Sequence, residues 1–164
     1  MKFPQPVVAP KPVFESSKYG AWVLSGLIVL MLLAQLYTLD SFIGLIFSMN
    51  LPLLLWKVSM LAPIIIILEL FSLPFLLRMT ISNLFRWLSL FCLWLTGLVW
   101  LFLGVYLSVF GSEASNIGMF GTVVDMPTGI ISLAFCGVLV PLIIWCSVGL
   151  WPGKKVITNT ADGE

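Results

Sequence analysis

Glu69 is the residue best suited to chemistry in this chain, because it lies alone among apolar side chains. The surrounding run, LAPIIIILELFSLPFLLR, extends from Leu61 to Arg78 and contains no other acidic residue. A carboxylate at the centre of a membrane costs about 2.5–3.5 kcal/mol on insertion scales, so such a residue usually marks a functional site. Glu69 is therefore a candidate proton carrier or polar ligand contact. The alternative is a neutral side chain that joins two helices through a hydrogen bond.

The sequence does not provide a cationic partner for Glu69 on its own helix. Arg78 follows after nine residues, which is about 13.5 Å and about two and a half turns of helix, so it lies on roughly the opposite face. Lys57 precedes Glu69 by twelve residues and is too distant to pair with it. Counting depth from the same side of the membrane brings Thr96 beside Glu69, and we predict a proton or polar ligand site formed by these two residues. The other hydroxyl candidates are Ser25 and Ser72.

The three cysteines offer a second candidate chemistry. Cys92 lies six residues after Arg86 and Cys146 six residues before Pro152, so both are expected about 9 Å from the inner ends of their helices. They are a candidate redox pair if those helices are neighbours, and otherwise small apolar packing residues on the reducing side. Cys136 is ten residues from Cys146 on one helix, about 15 Å away, and cannot pair with it.

The composition predicts that the bilayer is the solvent of this chain. Of the 164 residues, 60% are hydrophobic and 9% are charged, whereas globular domains carry about 25% charged residues. The formal net charge of +1 provides no electrostatic surface for nucleic acid. The chain has no histidine, which removes the most common metal ligand and the usual general base of a hydrolytic triad. We therefore expect no cofactor, no metal and no nucleic-acid partner, and the balance is against an enzyme.

Apolar runs separated by proline, glycine and charged residues predict four membrane-spanning helices. Each run is close to or above the length needed to cross about 30 Å of hydrocarbon. The predicted spans are 21–38, 53–77, 84–110 and 128–151. The shorter run 42–49 predicts a helix that is either interfacial or re-entrant. The predicted fold class is an all-α, integral membrane four-helix bundle with this short helix after the first span.

The distribution of charge predicts the orientation of these spans. A Pro-rich tail, 1–20, the connection after the second span and the C-terminal tail, 153–164, all contain lysine or arginine. The intervening connections contain the acidic residues Asp40, Glu113 and Asp125, and the one exception is Lys57 at the membrane edge of the first of them. The positive-inside rule then places both tails in the cytoplasm, on either side of a transmembrane domain at 21–152.

The longest polar connection lies between the last two spans. It contains Gly118 and Gly121 beside acidic residues. This pattern indicates either a shaped turn that covers the outer mouth of the bundle or a plain turn punctuated by glycine.

The segment 36–95 resembles the DoxX and methylamine-utilisation MauE group of four-helix membrane proteins. In that group a short outer segment follows the first helix, and the second helix carries a glutamate in an apolar run that ends at a basic residue. Here this run reads ILELFSLPFLLR, from Ile67 to Arg78, with Glu69 as the distinctive match. The sequence departs from the group in lacking a paired-cysteine motif and in its long polar third connection.

The resemblance implies an accessory protein of a bacterial-type plasma membrane. Relatives are associated with quinone-linked oxidation, thiol stress responses or maturation of disulfide-rich partners. The first hypothesis is therefore an integral membrane protein that supports assembly or redox maintenance of a membrane partner. Besides the lipid bilayer, its expected partner is a membrane protein or a second copy of the chain in a homo-oligomer. The second is a small proton-coupled transporter that uses Glu69. The third is a structural subunit of a membrane complex.

Overall fold

The computed structural model describes residues 12–49, 51, 60–110 and 116–151. These residues form five helices and one isolated bridge between Asn116 and Pro127, so the predicted all-α class is confirmed for the described part of the chain. Most of the predicted N-terminal tail, all of the tail 153–164 and the start of the second predicted span lie outside these residues. The helices are α1 (Glu15–Tyr37), α2 (Leu39–Ser48), α3 (Leu61–Leu76), α4 (Asn83–Phe110) and α5 (Ile130–Gly149).

Three of these helices are long and apolar enough to cross a membrane. They are α1, α4 and α5, with 23, 28 and 20 residues. The described part of α3 has 16 residues, which is about 24 Å of helix. The chain therefore has the helices of a membrane protein, and α3 is apolar but shorter where it is described.

The structure extends the first predicted span and the short helix. Helix α1 begins at Glu15, inside the segment predicted as tail, because the last tail proline is Pro12 and Glu15 favours a helix N-terminus. This start is fixed to the end of α5, where the backbone N–H of Val13 donates to the carbonyl of Gly149 at 2.9 Å. Helix α2 follows α1 after Thr38 alone. Its ten residues span about 15 Å, which is too short to cross a membrane.

The helices pack around one apolar core. Helix α3 packs mainly against α4 and α1. Helix α5 packs against α4 and also against α1. Helix α2 packs on α3 and the end of α1. The largest fully buried side chains include Leu24, Ile28, Phe42, Ile65, Leu93 and Trp100. The outer faces of the same helices expose leucine, valine, isoleucine and aromatic side chains, as expected of lipid-facing helices.

Ser89 of α4 is bonded into the backbone of α3 next to a proline. Pro74 has no N–H, which weakens the helical ladder of α3 at this point. The N–H of Phe75 donates to Ser89 Oγ at 2.9 Å, and the Ser89 hydroxyl donates to the carbonyl of Phe71 at 2.6 Å. In a regular helix that N–H and that carbonyl would bond to each other. A side chain inserted in this way is a recognised cause of a helix bend, and it joins α3 to α4.

We expect Ser89→Ala to destabilise the protein by about 1–3 kcal/mol, because two buried backbone groups of α3 lose a partner. The measurement is the free energy of unfolding in detergent. The matched control is Ser147→Ala, because Ser147 is also buried but donates only to Ile143 of its own helix. Equal losses in the two variants would contradict the role of Ser89 as a link between α3 and α4.

Candidate functional site

Glu69 lies at a junction of three helices. Its side chain is 0% exposed. One carboxyl oxygen, Oε1, accepts the indole N–H of Trp100 from α4 at 2.9 Å and the amide of Gln35 from α1 at 3.2 Å. Both donors are also 0% exposed. The carboxyl group of α3 is therefore held from two sides by neutral donors, away from water.

Gln35 connects this junction to the segment between α4 and α5. Its amide nitrogen, Nε2, donates one hydrogen to Glu69 and the other to the backbone carbonyl of Met119 at 2.9 Å. Met119 is itself fully buried. We call residues 116–129 the cap, because they cover the bundle beside Gln35.

The cap is a compact turn organised by Asn116. The Asn116 side-chain oxygen accepts the N–H of Gly118 at 2.8 Å, and its amide donates to the carboxylate of Asp125 at 3.2 Å. The N–H of Ile117 donates to the carbonyl of Met126 at 3.0 Å, which closes the base of the turn. The shaped turn is thus built from local hydrogen bonds that typically stabilise such loops.

Two glycines allow the cap to approach the helices closely. Gly118 and Gly121 have φ values of 82° and 58°, a backbone region that favours glycine. A Cβ atom on Gly121 would lie 2.9 Å from the carbonyl oxygen of Ala34 in α1, and one on Gly118 would lie 2.9 Å from Leu45 in α2. The backbone N–H of Thr122 also donates to the hydroxyl of Thr38 at 3.1 Å. The cap therefore rests on the end of α1 and on α2.

The second carboxyl oxygen of Glu69 differs from the first. Within the described residues, Glu69 Oε2 has no hydrogen-bond partner, and neither has the side-chain oxygen of Gln35. No described side chain forms an ion pair with Glu69. Both atoms are buried, where an unsatisfied polar atom is costly. In the described part of the chain, they are the two polar atoms of this junction that still lack a hydrogen-bond donor.

The residue of α4 that bonds to Glu69 is Trp100 and not the predicted Thr96. The Thr96 hydroxyl donates to the carbonyl of Cys92, four residues earlier in α4, at 3.0 Å. Helical side chains lean toward the helix N-terminus, so Trp100, one turn beyond Thr96, reaches back to the level of Glu69. The other predicted candidates also bond to backbone, Ser72 to the carbonyl of Glu69 at 2.6 Å and Ser25 to that of Trp22 at 2.9 Å.

The three cysteines are buried and free. Cys136 lies against the carbonyl of Trp100, at 3.3 Å from Sγ to oxygen. Cys146 faces α1, since its Sγ is 3.4 Å from the position of a Cβ on Gly20. The pairing of Cys92 with Cys146 stays a prediction. Among the described residues, no three acidic or cysteine side chains cluster as metal ligands would.

Comparison of the chain with protein-family models, with curated proteins and with solved structures finds no match.

We expect Trp100→Phe to destabilise the protein, because buried Glu69 loses a donor. This loss should add about 1–3 kcal/mol to the destabilisation that the smaller ring causes by itself. The free energy of unfolding in detergent measures this loss. Trp94→Phe is the control on the same helix. Its ring lines a shallow apolar groove with Gly97 and Ile143, and it makes no hydrogen bond within the described residues. A loss in Trp100→Phe no larger than in the control would argue against a stabilising Trp100–Glu69 bond.

Proposed function

We propose that this protein is a non-enzymatic accessory protein of the membrane, which supports assembly of a membrane partner. One observation carries the proposal. The polar side chains at the junction donate and accept bonds within the protein, from Gln35 and Trp100 to Glu69 and from Gln35 to Met119. Such bonds between helices are a usual role of polar residues in membranes. These bonds between helices support a structural role rather than turnover of a substrate.

The proposed architecture is the four-span bundle of the DoxX/MauE type, with α3 as the second crossing. Helix α3 contacts both α1 and α4, which are long enough to cross a membrane. The position of its 16 described residues between these two helices supports α3 as a spanning helix. We further propose a bacterial-type plasma membrane with both termini in the cytoplasm, from the alternation of basic residues. Contact between the start of α1 and the end of α5 supports termini on one side.

Reporter fusions test this topology. We expect a fluorescent protein to be active, and alkaline phosphatase to be inactive, at both the N-terminus and the C-terminus, because four crossings return the chain to its starting side. Insertion of either reporter between Val123 and Val124, at the exposed tip of the cap, should give the reverse result. Termini on opposite sides would require an odd number of crossings and would contradict the four-span arrangement.

The partner surface that we propose is an aromatic ladder on α4. Phe102, Tyr106 and Phe110 follow one another at four-residue spacing, with ring centroids 5.9 and 5.0 Å apart. Phe102 and Phe110 are 53% and 71% exposed. Aromatic side chains are enriched at protein interfaces, so this surface is suited to a second membrane protein or to a second copy of the chain.

The assembly role is favoured over redox maintenance. Thiol–disulfide exchange needs an accessible thiolate, and Cys92, Cys136 and Cys146 are at most 8% exposed. A redox role for Cys92 and Cys146 would require that a partner or a rearrangement expose them.

Purification from native membranes in mild detergent tests the accessory role. We expect a second polypeptide, or a second copy of the chain, at a fixed ratio. Phe102→Ala with Phe110→Ala should lower its recovery, because the ladder loses two aromatic contacts. Leu30→Ala with Leu33→Ala is the control, since both leucines are 58% exposed on α1 and each lies between Phe102 and Phe110 in exposure. A particle that contains one copy of this chain and nothing else would argue against an accessory protein.

A further inference from the structure

The two unsatisfied oxygens at the junction belong to groups that already bond to each other. Glu69 Oε2 and Gln35 Oε1 have no partner within the described residues. Their sister atoms, Glu69 Oε1 and Gln35 Nε2, are 3.2 Å apart in a hydrogen bond. Each unsatisfied oxygen shares a carbon with one atom of that bond, so rotation about the side-chain bonds decides whether the two oxygens face each other. A carboxyl group and an amide group that share one bond can form a second, parallel bond when the carboxyl is protonated and the remaining oxygens face each other.

The other contacts fix which atom is which. The carbonyl of Met119 can only accept, so the atom of Gln35 that faces it must be the nitrogen, and the amide cannot be turned over. Trp100 can only donate, so Glu69 Oε1 is an acceptor from both Trp100 and Gln35. A proton on this carboxyl group therefore belongs on Oε2.

The ionised and the neutral forms of Glu69 differ in whether Glu69 Oε2 and Gln35 Oε1 have a hydrogen-bond partner. Within the described residues, an ionised carboxylate would leave Oε2 and Gln35 Oε1 as two buried acceptors with no donor, and no described cationic side chain bonds to the carboxyl. A neutral carboxylic acid makes Oε2 a donor next to an acceptor. One proton then satisfies two buried oxygens at once, which removes both penalties of an unpartnered polar atom.

We propose that Glu69 and Gln35 form a neutral acid–amide pair that binds one proton, and that this proton locks the cap. The proton on Glu69 Oε2 is donated to Gln35 Oε1, while Gln35 Nε2 keeps its bonds to Glu69 Oε1 and to the carbonyl of Met119. Loss of the proton to solvent water turns Oε2 into a charged acceptor that faces another acceptor. Gln35 is then repelled, and the bond that it makes to Met119 is weakened. This proton site goes beyond the accessory role and does not depend on it.

No other ionisable group of the neighbouring elements is a hydrogen-bond partner of this pair. Helix α3 has no charged residue besides Glu69 between Leu61 and Leu76, and α5 has none between Ile130 and Gly149. The ionisable groups that the packed elements do carry are Glu15, Lys18, Tyr19 and Tyr37 in α1, Asp40 in α2, Arg86, Cys92 and Tyr106 in α4, Cys136 and Cys146 in α5, and Asp125 in the cap. The proton balance of the junction is therefore set by Glu69.

Infrared spectroscopy of the full chain in lipid nanodiscs tests the proton site. We expect a carboxylic acid C=O band that is absent in Glu69→Gln, and that shifts in Gln35→Leu because the acceptor of the acid proton is lost. Trp100→Phe should keep a band sensitive to Glu69→Gln, but at higher frequency, since Oε1 is the carbonyl oxygen of the acid and loses the donor Trp100. If no band sensitive to Glu69→Gln is found at any pH at which the protein is folded, the acid–amide pair is overturned.

Hydrogen exchange of the cap tests the lock. Glu69→Gln replaces the acid by an amide that makes the same two bonds to Gln35 without an ionisable proton. We expect the cap peptide 116–127 to exchange equally in the wild type and in Glu69→Gln while the acid band is present. Once rising pH has removed the band, the wild-type cap should exchange about fivefold to tenfold faster, as expected for one lost buried hydrogen bond. Equal rates after loss of the band, or a band that persists at every pH, would overturn the lock.

Discussion

Gln35 donates both hydrogens of its side-chain amide, one to Glu69 of α3 and one to the carbonyl of Met119 in the cap. Water cannot replace such bonds inside an apolar bundle, where every polar group needs a protein partner. The positions of α1, α3 and the cap are therefore linked through one side chain. Because Glu69 also accepts from Trp100, displacement of any one of these elements leaves a buried polar group without its partner.

The helices could be predicted from the sequence, because apolar runs of membrane length are a strong and simple signal. The predicted third and fourth spans, 84–110 and 128–151, differ by at most two residues from α4 and α5 at each end. The start of α1 could not be placed as well, since residues 15–20 are polar and their helix is fixed by contact with the end of α5. The four-span bundle as a whole and its orientation remain a proposal.

The site was predicted only in part. An isolated glutamate among apolar residues can be recognised in any sequence, and Glu69 is indeed buried at a junction. Matching helix positions by depth does not identify its partners, because side-chain length and direction also decide which residues meet. Trp100 reaches back by one turn, and Gln35 is an uncharged residue near the end of its helix. The buried position of Met119 depends on the fold of a long connection, which no periodic pattern in the sequence specifies.

The bond of Ser89 into the backbone of α3 has a mechanical consequence. Next to Pro74 the main chain of α3 is fastened to α4 through a hydroxyl group, so these two helices cannot slide past each other at that end without breaking it. Further toward the cap, the described contacts of Glu69 with α1 and α4 are made by side chains, those of Gln35 and Trp100. Pro74 and Ser89 therefore mark a point at which α3 and α4 are held in register by the main chain itself.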